Sequence, residues 1–160
     1  MAEFTIRSIR AEDHKWIRRL IRERWAGEFV IVHGTTFHPA QLPGFLAEAA
    51  GRNAGLLTCA VTPEACEIVT LDSLSPGRGI GTALVDAARE LAARKGCRRL
   101  FAVTTNDNLH ALRFYQRRGF VLAALRPNAV DQTRKRKPIP LRGENGIPIR
   151  DELELELLLE

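Results

Sequence analysis

The sequence has no long apolar run and few cysteines. No stretch approaches the roughly 20 apolar residues that a helix needs to cross a bilayer. The charged start MAEFTIRSIRAEDHK also lacks the apolar centre of a secretory signal, so we expect a cytoplasmic protein with no membrane partner. Cys59, Cys66 and Cys97 form no CxxC pair, which argues against a disulfide framework or a structural zinc site, and we expect no metal. Cys59 and Cys66 lie in apolar stretches and are predicted to be small core residues.

Two common nucleotide-binding patterns are missing from the glycine-rich stretch SPGRGIGTAL (75–84). No lysine follows Gly81, so the stretch is not a P-loop. Neither Gly77 nor Gly79 begins a complete GxGxxG pattern, so it is not a dinucleotide fingerprint either. These absences disfavour ATP hydrolysis and NAD chemistry.

The chain of 160 residues, 45% of them hydrophobic, is expected to form a single domain, residues 1–160. A central hairpin favours a mixed sheet over a doubly wound one. Residues 126–149 carry Pro, Gly and charge without a period and are predicted to be a long basic loop before the last strand. We predict strands at 4–9, 28–33, 55–61, 66–74, 98–105, 120–125 and 151–159, and helices at 12–25, 42–51, 79–95 and 108–118.

The glycine loop itself suits a phosphate ligand. Its glycines let the backbone turn and approach a ligand closely. The N–H groups of residues 78–82 and the dipole of the following helix favour a pyrophosphate, and Arg78 adds a positive charge. The loop alone fits an ordinary helix entry turn about as well.

A second motif decides between these interpretations. The segment NLHALRFYQRRGF (108–120) follows the loop PGRGIG (76–81) at a separation of some 30 residues. With both motifs, the chain resembles the GCN5-related N-acetyltransferase (GNAT) superfamily over roughly residues 1–125. One departure is that Pro76 stands where the family usually has Gln or Arg, with Arg78 two residues later.

The resemblance implies a fold, a donor and a reaction. The fold is α/β, with a mixed, mostly antiparallel central sheet of about seven strands flanked by about four helices. The donor is acetyl-CoA, and the reaction is transfer of its acetyl group to a primary amine by direct attack. The pantetheine arm is expected to run between the strands at 66–74 and 98–105. The implied cofactor contacts are the Leu74 backbone, Gly77, Arg78, Gly79, Ile80, Gly81, Thr82 and Asn108.

Two residues are the catalytic candidates. Tyr115, the only tyrosine, corresponds to the family residue that gives a proton to the departing thiolate, although an aromatic on this helix is also a natural core residue. Glu67 fits the role of general base, because the family often places a carboxylate on this strand. Asp72, on the opposite face of that strand, is the reserve candidate, and many family members need no dedicated base.

The acceptor side is less defined. His33 and His38 lie near the helices that line the acceptor pocket in the family. The basic run Arg134–Lys137 is expected to fold over this pocket as a lid that favours an acidic substrate. Holding the adenosine 3′-phosphate, or simple solvation, are the alternatives. The acceptor, a small-molecule or protein amine, is not identified by the sequence.

Other functions compete with this one. Residues 113–142 contain nine Arg or Lys and one acid, Asp131, which would suit a nucleic-acid or ribosome-associated module. The region lacks interleaved aromatic residues, so nucleic acid is disfavoured. A non-catalytic CoA-binding protein is the other alternative. The regular last strand also suits pairing across a homodimer.

Overall fold

The computed structural model describes residues 3–160, within which the chain forms nine strands and four α-helices. No helix of this part combines the length and apolar character needed to span a bilayer. In chain order the elements are β1 (Thr5–Ser8), α1 (His14–Trp25), β2 (Val30–Val32), β3 (Thr35–Phe37), β4 (Gly44–Ala49), β5 (Arg52–Val61), β6 (Ala65–Ser73), α2 (Ile80–Arg94), β7 (Arg99–Thr105), α3 (Leu109–Arg117), β8 (Val121–Arg126), α4 (Ala129–Arg134) and β9 (Glu152–Leu158).

Seven of these strands form one sheet in the order β1-β4-β5-β6-β7-β9-β8. Neighbouring strands are antiparallel except β6 and β7, which are parallel. Strands β2 and β3 form a separate antiparallel hairpin. The predicted fold class, a mixed and mostly antiparallel seven-stranded sheet with four helices, is confirmed.

The parallel pair β6–β7 opens into a splay. The two strands pair only from Ala65↔Arg99 to Ile68↔Ala102, while β6 runs on to Ser73 and β7 to Thr105. At this point β6 carries one extra residue, Val69, because Cys59 pairs with Ile68 and Thr58 with Thr70. Such a bulge bends and twists a strand, which accounts for β6 leaving β7 here.

Two hydrophobic clusters cover the faces of the sheet. One joins α2 and α3 to the sheet through residues such as Leu84 and Tyr115, and the other joins α1 through Ile17. Cys59 and Cys66 lie in the first cluster, as predicted for core residues, and their thiols are free. The face under α2 and α3 is therefore the one that positions the glycine loop.

The helix predicted at 42–51 is wrong, because this segment contains strand β4. Leu46 and Ala47 are both fully buried but belong to opposite clusters, so a strand covered on both faces shows no alternation. Gly44 is needed for close pairing, since a Cβ there would lie 1.9 Å from the carbonyl oxygen of Leu57.

Strand β3 was not predicted, because three residues are too short to show a period. It pairs with β2, which lies inside the strand predicted at 28–33. The turn between them uses His33 and Gly34, at φ values of 41° and 79°. Left-handed residues at both turn positions are what a two-residue hairpin requires.

The segment 126–149 is not entirely irregular, since it contains α4. Arg134 holds the rest of it together, because its Nη2 donates to the carbonyl oxygens of Ile149 at 2.5 Å and Pro140 at 2.9 Å. These bonds are between residues distant in sequence, so no periodic pattern could indicate them.

The last strand does not lie at the edge of the sheet. β9 pairs with β7 on one side and β8 on the other. It therefore has no free edge for pairing across a dimer, and that predicted route to a homodimer is wrong.

Candidate active site

The glycine loop turns the chain from β6 into α2. Gly77 and Gly79 have φ values of 81° and 80°, in the left-handed region that a side chain disfavours. The helix begins at Ile80, and the N–H groups of its first turn have no partner within the helix. The loop and this turn line a cavity of about 760 Å³. An anion here would meet open N–H groups at the positive end of the helix dipole.

Gly81 brings α3 against the start of α2. A Cβ on Gly81 would lie 3.1 Å from the Phe114 ring, so the ring would have to move by a few tenths of an ångström to admit a side chain here. The Arg118 guanidinium stacks on the same Phe114 ring, and its Cζ atom lies 3.6 Å from the ring centre. Its Nε donates to Thr82 Oγ1 at 2.8 Å, and Nη2 contacts the same oxygen.

The cavity wall facing the loop is basic. Burial, followed by the charge of Arg117, lowers the pKa of Arg118 from its ordinary value. An anion that neutralises these charges would therefore be favoured electrostatically. The basic side chains on this wall are Arg24, His110, Arg113, Arg117 and Arg118.

Arg78 is not part of that wall. Its Nη2 donates to Glu3 Oε2 at 2.6 Å, and the residue does not line the cavity. Sequence reasoning therefore missed Arg118 and its neighbours on α3 as the charges that line the cavity. The only signal for them was the excess of arginine in residues 113–142.

A second cavity, of about 180 Å³, occupies the splay between β6 and β7. Ile68 and the bulge residue Val69 line it from β6, and Val103 and Thr104 from β7. It shares Leu71, Ser73, Gly81, His110 and Phe114 with the larger cavity. The two cavities therefore form one groove, from the start of α2 to the opened edge of β7.

Tyr115 lies at the inner end of this groove. It is 6% exposed, and its ring packs on Phe114 and Phe120 at centroid distances of 5.2 and 5.1 Å. The phenol oxygen makes no hydrogen bond within residues 3–160, and no side-chain polar atom of that part is both enclosed and unpartnered, so the oxygen faces the cavity. Burial and then the Asp72 charge raise the pKa of Tyr115 above its ordinary value, which keeps the phenol protonated.

Asp72 lies near Tyr115 and is also buried. The indole Nε1 of Trp25 donates to its Oδ2 at 3.1 Å, and an Arg24 nitrogen is 4.0 Å from Oδ1. Burial raises the pKa of Asp72, an effect that the Trp25 hydrogen bond and Arg24 oppose. Asp72 pairs with Leu56 and therefore faces α1.

Glu67 faces α1 as well, which corrects the prediction that it and Asp72 lie on opposite faces. An odd separation of five residues gives opposite faces in a regular strand, but the extra residue Val69 reverses the alternation. Pairing of Glu67 with Ala60, and of Ile68 with the core residue Cys59, fixes this orientation.

Glu67 is held by a histidine from the β2–β3 hairpin. Nε2 of His33 lies 2.9 Å from each carboxylate oxygen of Glu67. Burial raises the pKa of Glu67, and the His33 hydrogen bond acts against this rise. The backbone N–H of His33 donates to Glu152 Oε2 at 3.0 Å. The predicted residues His33 and Glu67 are thus brought together, a pairing that their 34-residue separation did not reveal.

Two predicted cofactor contacts have other structural partners. Asn108 caps α3, because its Oδ1 accepts the Ala111 N–H at 3.0 Å, and it also lines the smaller cavity. The N–H of Leu74 donates to the Ala54 carbonyl oxygen at 2.8 Å. Leu74 packs in the cluster under α1 and lines neither cavity.

The basic run Arg134–Lys137 lies against the hairpin and the end of α1. Arg136 Nη1 donates to Thr36 Oγ1 at 2.9 Å. Lys137 is buried, and its Nζ donates to the carbonyl oxygens of Trp25 and Phe29 at 2.5 and 2.6 Å. None of the four residues lines the cavity at the glycine loop, so the run is not placed to hold a phosphate there.

Comparison with known proteins agrees with this geometry. The model of the acetyltransferase (GNAT) family matches residues 6–120, which include β6, the glycine loop and α3. The chain belongs to the GNAT family.

Relatives of this GNAT protein extend the match beyond those residues. Uncharacterized protein YxbD of Bacillus subtilis (strain 168) is 39% identical over 141 residues, which are 87% of this chain and 89% of the relative. The IAA acetyltransferase of Bacillus cereus ATCC 14579 is 26% identical with a TM-score of 0.74, covering 98% and 99% of the two chains. A GNAT acetyltransferase of Elizabethkingia anophelis, solved with acetyl-CoA bound, is 22% identical with a TM-score of 0.72, covering 99% and 100%.

Proposed function

We propose that this GNAT protein is an acetyl-CoA-dependent N-acetyltransferase that acetylates a primary amine by direct attack. The observation that carries the proposal is the continuous groove, which leads from the open start of α2 to Tyr115. By the same proposal, residues 1–160 form one acetyltransferase domain. The free thiols of all three cysteines suit a reducing compartment such as the cytoplasm.

The residues of the groove fit the donor at both ends. Ile80, Gly81 and Thr82 would hold the pyrophosphate through their N–H groups, and Arg118 would add a charge-assisted bond. Beyond Ile68, β6 has no β7 partner, so its backbone is open to an extended arm that pairs as an added strand would. Acetyl-CoA supplies the acetyl group as a thioester.

The chemistry needs a proton donor for the departing thiolate and a proton acceptor for the amine. Tyr115 offers a protonated phenol that opens into the cavity and has no partner within residues 3–160. On the other face of the sheet, Glu67 and His33 offer the basic groups. The β2–β3 hairpin and the end of α1 form the wall on this acceptor side.

The contacts of the basic region favour this proposal over a nucleic-acid module. Arg113, Arg117 and Arg118 line the groove. Arg126 pairs with Glu152 and Glu154 of β9. Arg134 and Lys137 donate hydrogen bonds to backbone carbonyl oxygens. The nine basic residues of 113–142 therefore do not form one open basic surface.

The first test is thermal stability of the purified protein with acetyl-CoA, CoA or ATP. A ligand at 100 times its Kd stabilises the folded state by about 2.7 kcal/mol. We expect acetyl-CoA and CoA to raise the melting temperature and ATP to leave it nearly unchanged. No rise with either CoA species would overturn the proposal.

A pair of variants localises the effect. Arg118→Met removes the charge beside the start of α2, and we expect it to weaken CoA binding by about 10- to 100-fold, as for loss of a hydrogen bond to a charged group. Arg89→Met, an exposed site of α2 outside both cavities, is the matched control.

The acceptor is then identified by testing a panel of primary amines with acetyl-CoA and measuring the release of the CoA thiol. CoA binding without any acetyl transfer would favour the non-catalytic alternative.

A further inference from the structure

The pair formed by Glu67 and His33 presents its imidazole, not its carboxylate, to the outside. The side chain of Glu67 is 7% exposed and that of His33 is 25% exposed. Both Glu67 oxygens lie 2.9 Å from one atom, His33 Nε2. An amine that approaches the pair therefore meets the imidazole first.

With Glu67 ionised, the contact also assigns the tautomer of His33. An ionised carboxylate only accepts hydrogen bonds, so Nε2 between the two Glu67 oxygens must carry the hydrogen. In the neutral ring, the bare lone pair is then on Nδ1. Within residues 3–160, Nδ1 of His33 makes no hydrogen bond.

The backbone at His33 is held in an unusual conformation. Its φ of 41° lies in the left-handed region, as the two-residue turn with Gly34 requires. The Glu152 bond to its N–H, an edge-on contact of its ring with Phe37 at 6.0 Å and the Arg136–Thr36 bond hold the hairpin in place. These contacts hold the imidazole in one position against Glu67.

Along β6, Glu67 lies next to the point where the strand leaves β7. Glu67 directly precedes Ile68, which is both the last β6 residue paired with β7 and a wall of the smaller cavity. The other charges that face Glu67 are Glu154 and Arg126, and Glu152 contacts the His33 backbone. Arg126 pairs with both Glu152 and Glu154, which leaves His33 as the contact of Glu67.

We propose that His33 Nδ1 takes the proton of the attacking amine and that Glu67 is the positioning residue that holds the imidazole in the required tautomer. The inference rests on the proposed function. As the amine nitrogen bonds to the acetyl carbon, it gives one proton to Nδ1. The C–S bond breaks, and the sulfur takes the phenol proton of Tyr115. Exchange with water then restores both side chains.

Nitrogen NMR of the histidine rings tests the tautomer without any reaction. In the ligand-free protein we expect the neutral His33 ring to carry its hydrogen on Nε2 and its bare lone pair on Nδ1. Glu67→Gln should shift the His33 ring toward a mixture of tautomers. The control variant His14→Asn, at an exposed helix start, should leave the spectrum of the His33 ring unchanged. A protonated Nδ1 in the wild-type protein would overturn the proposal.

Kinetics test the proton transfer itself. We expect His33→Asn, a residue that tolerates the left-handed region, to lower kcat by about 10²–10³-fold and to leave the KM for acetyl-CoA unchanged. Glu67→Gln should lower kcat less. His33→Gly should regain activity when free imidazole is added, which a purely structural role of the side chain would not produce.

These outcomes separate the inference from the proposed function. If the wild-type protein does not bind CoA, the proposed function fails. If the wild-type protein acetylates an amine, and the His33 variants have the same kcat and the same pH dependence of kcat as wild type, only the present inference fails. Thermal stability with CoA establishes that each variant is folded, and His33→Gln replaces any variant that is not.

Discussion

Tyr115 combines a packed ring with a hydroxyl that faces the groove. Tyr115→Phe removes only the hydroxyl, so packing against Phe114 and Phe120 is kept. We expect kcat to fall by about 10²–10⁴-fold, the usual contribution of a general acid, with the KM for acetyl-CoA and the melting temperature little changed. Steady-state kinetics with a saturating amine measure this.

The outcome also separates chemistry from packing at this position. An unchanged kcat would mean that the thiolate leaves without help from Tyr115, which would then be a core residue only. A low kcat together with a much lower melting temperature would point instead to disturbed packing.

Asp72 makes stability depend on pH. Burial raises its pKa above the ordinary value of 3.8, so the folded state binds the proton more tightly than the unfolded state. The resulting stability is present in full below pH 3.8 and is lost as the pH rises through the folded pKa. Asp72→Asn stays neutral, and its Oδ1 can still accept the Trp25 hydrogen bond.

We therefore expect the stability of Asp72→Asn relative to wild type to increase as the pH rises. Urea unfolding of both proteins at several pH values between about 4 and 7 gives the difference. A difference that is constant over this range would show that the carboxyl has the same pKa in both states.

At the residue scale, the sequence indicates the role of a side chain when its partner is only a few residues away in the chain. Asn108, at the start of the predicted helix 108–118, caps that helix, because its Oδ1 accepts the N–H of Ala111 three residues later. Arg118 was missed because its approach to Thr82 joins residues 36 apart and depends on how α3 packs. The Glu67–His33 contact was missed for the same reason, since it needs the β2–β3 hairpin.

At the scale of elements, the contact between α2 and α3 limits what position 81 can hold. Replacing glycine by alanine inside a helix normally stabilises it by about 0.5–1 kcal/mol. Here the new Cβ would lie 3.1 Å from the Phe114 ring. We expect Gly81→Ala to destabilise the fold by about 1–2 kcal/mol, as for an overpacked core.

A second substitution identifies the cause of that loss. Combining Gly81→Ala with Phe114→Leu removes the ring that the Cβ would meet. In a double-mutant cycle measured by urea unfolding, the two changes should then cost less together than the sum of their separate effects. Simple additivity would argue against the clash.

Most elements follow from the sequence pattern, and the exceptions have physical causes. Strands and helices with one covered face, such as α1 and β1, show clear periods. β4 does not, because it is covered on both faces. The bulge at Val69 was invisible, because a single extra residue changes the pairing with β5 but not the composition of β6.

At the scale of the molecule, positive charge is concentrated around the groove. Arg24, Arg113, Arg117 and Arg118 line one cavity, whereas Arg99 and Arg126 are paired with glutamates of β9. Such an arrangement speeds the approach of an anion, and the effect weakens as salt shortens the Debye length from about 30 Å at 0.01 M to about 8 Å at 0.15 M.

We therefore expect the association rate constant for CoA to fall as ionic strength rises over this range. Stopped-flow fluorescence measures it, and pantetheine, which carries no phosphate, is the matched control ligand. Equal salt dependence for the two ligands would show that the arginines do not guide the phosphates.

The interior position of β9 has a consequence for biosynthesis. β7 and β8 are made before β9 but do not pair with each other, since β9 pairs with both. While the chain is on the ribosome, these two strands expose hydrogen-bonding edges that are paired only when β9 is made. The nascent protein can therefore assemble β1 to β6 and α2 early. It completes the sheet, and with it the β7 wall of the groove, only after Leu158 has been added.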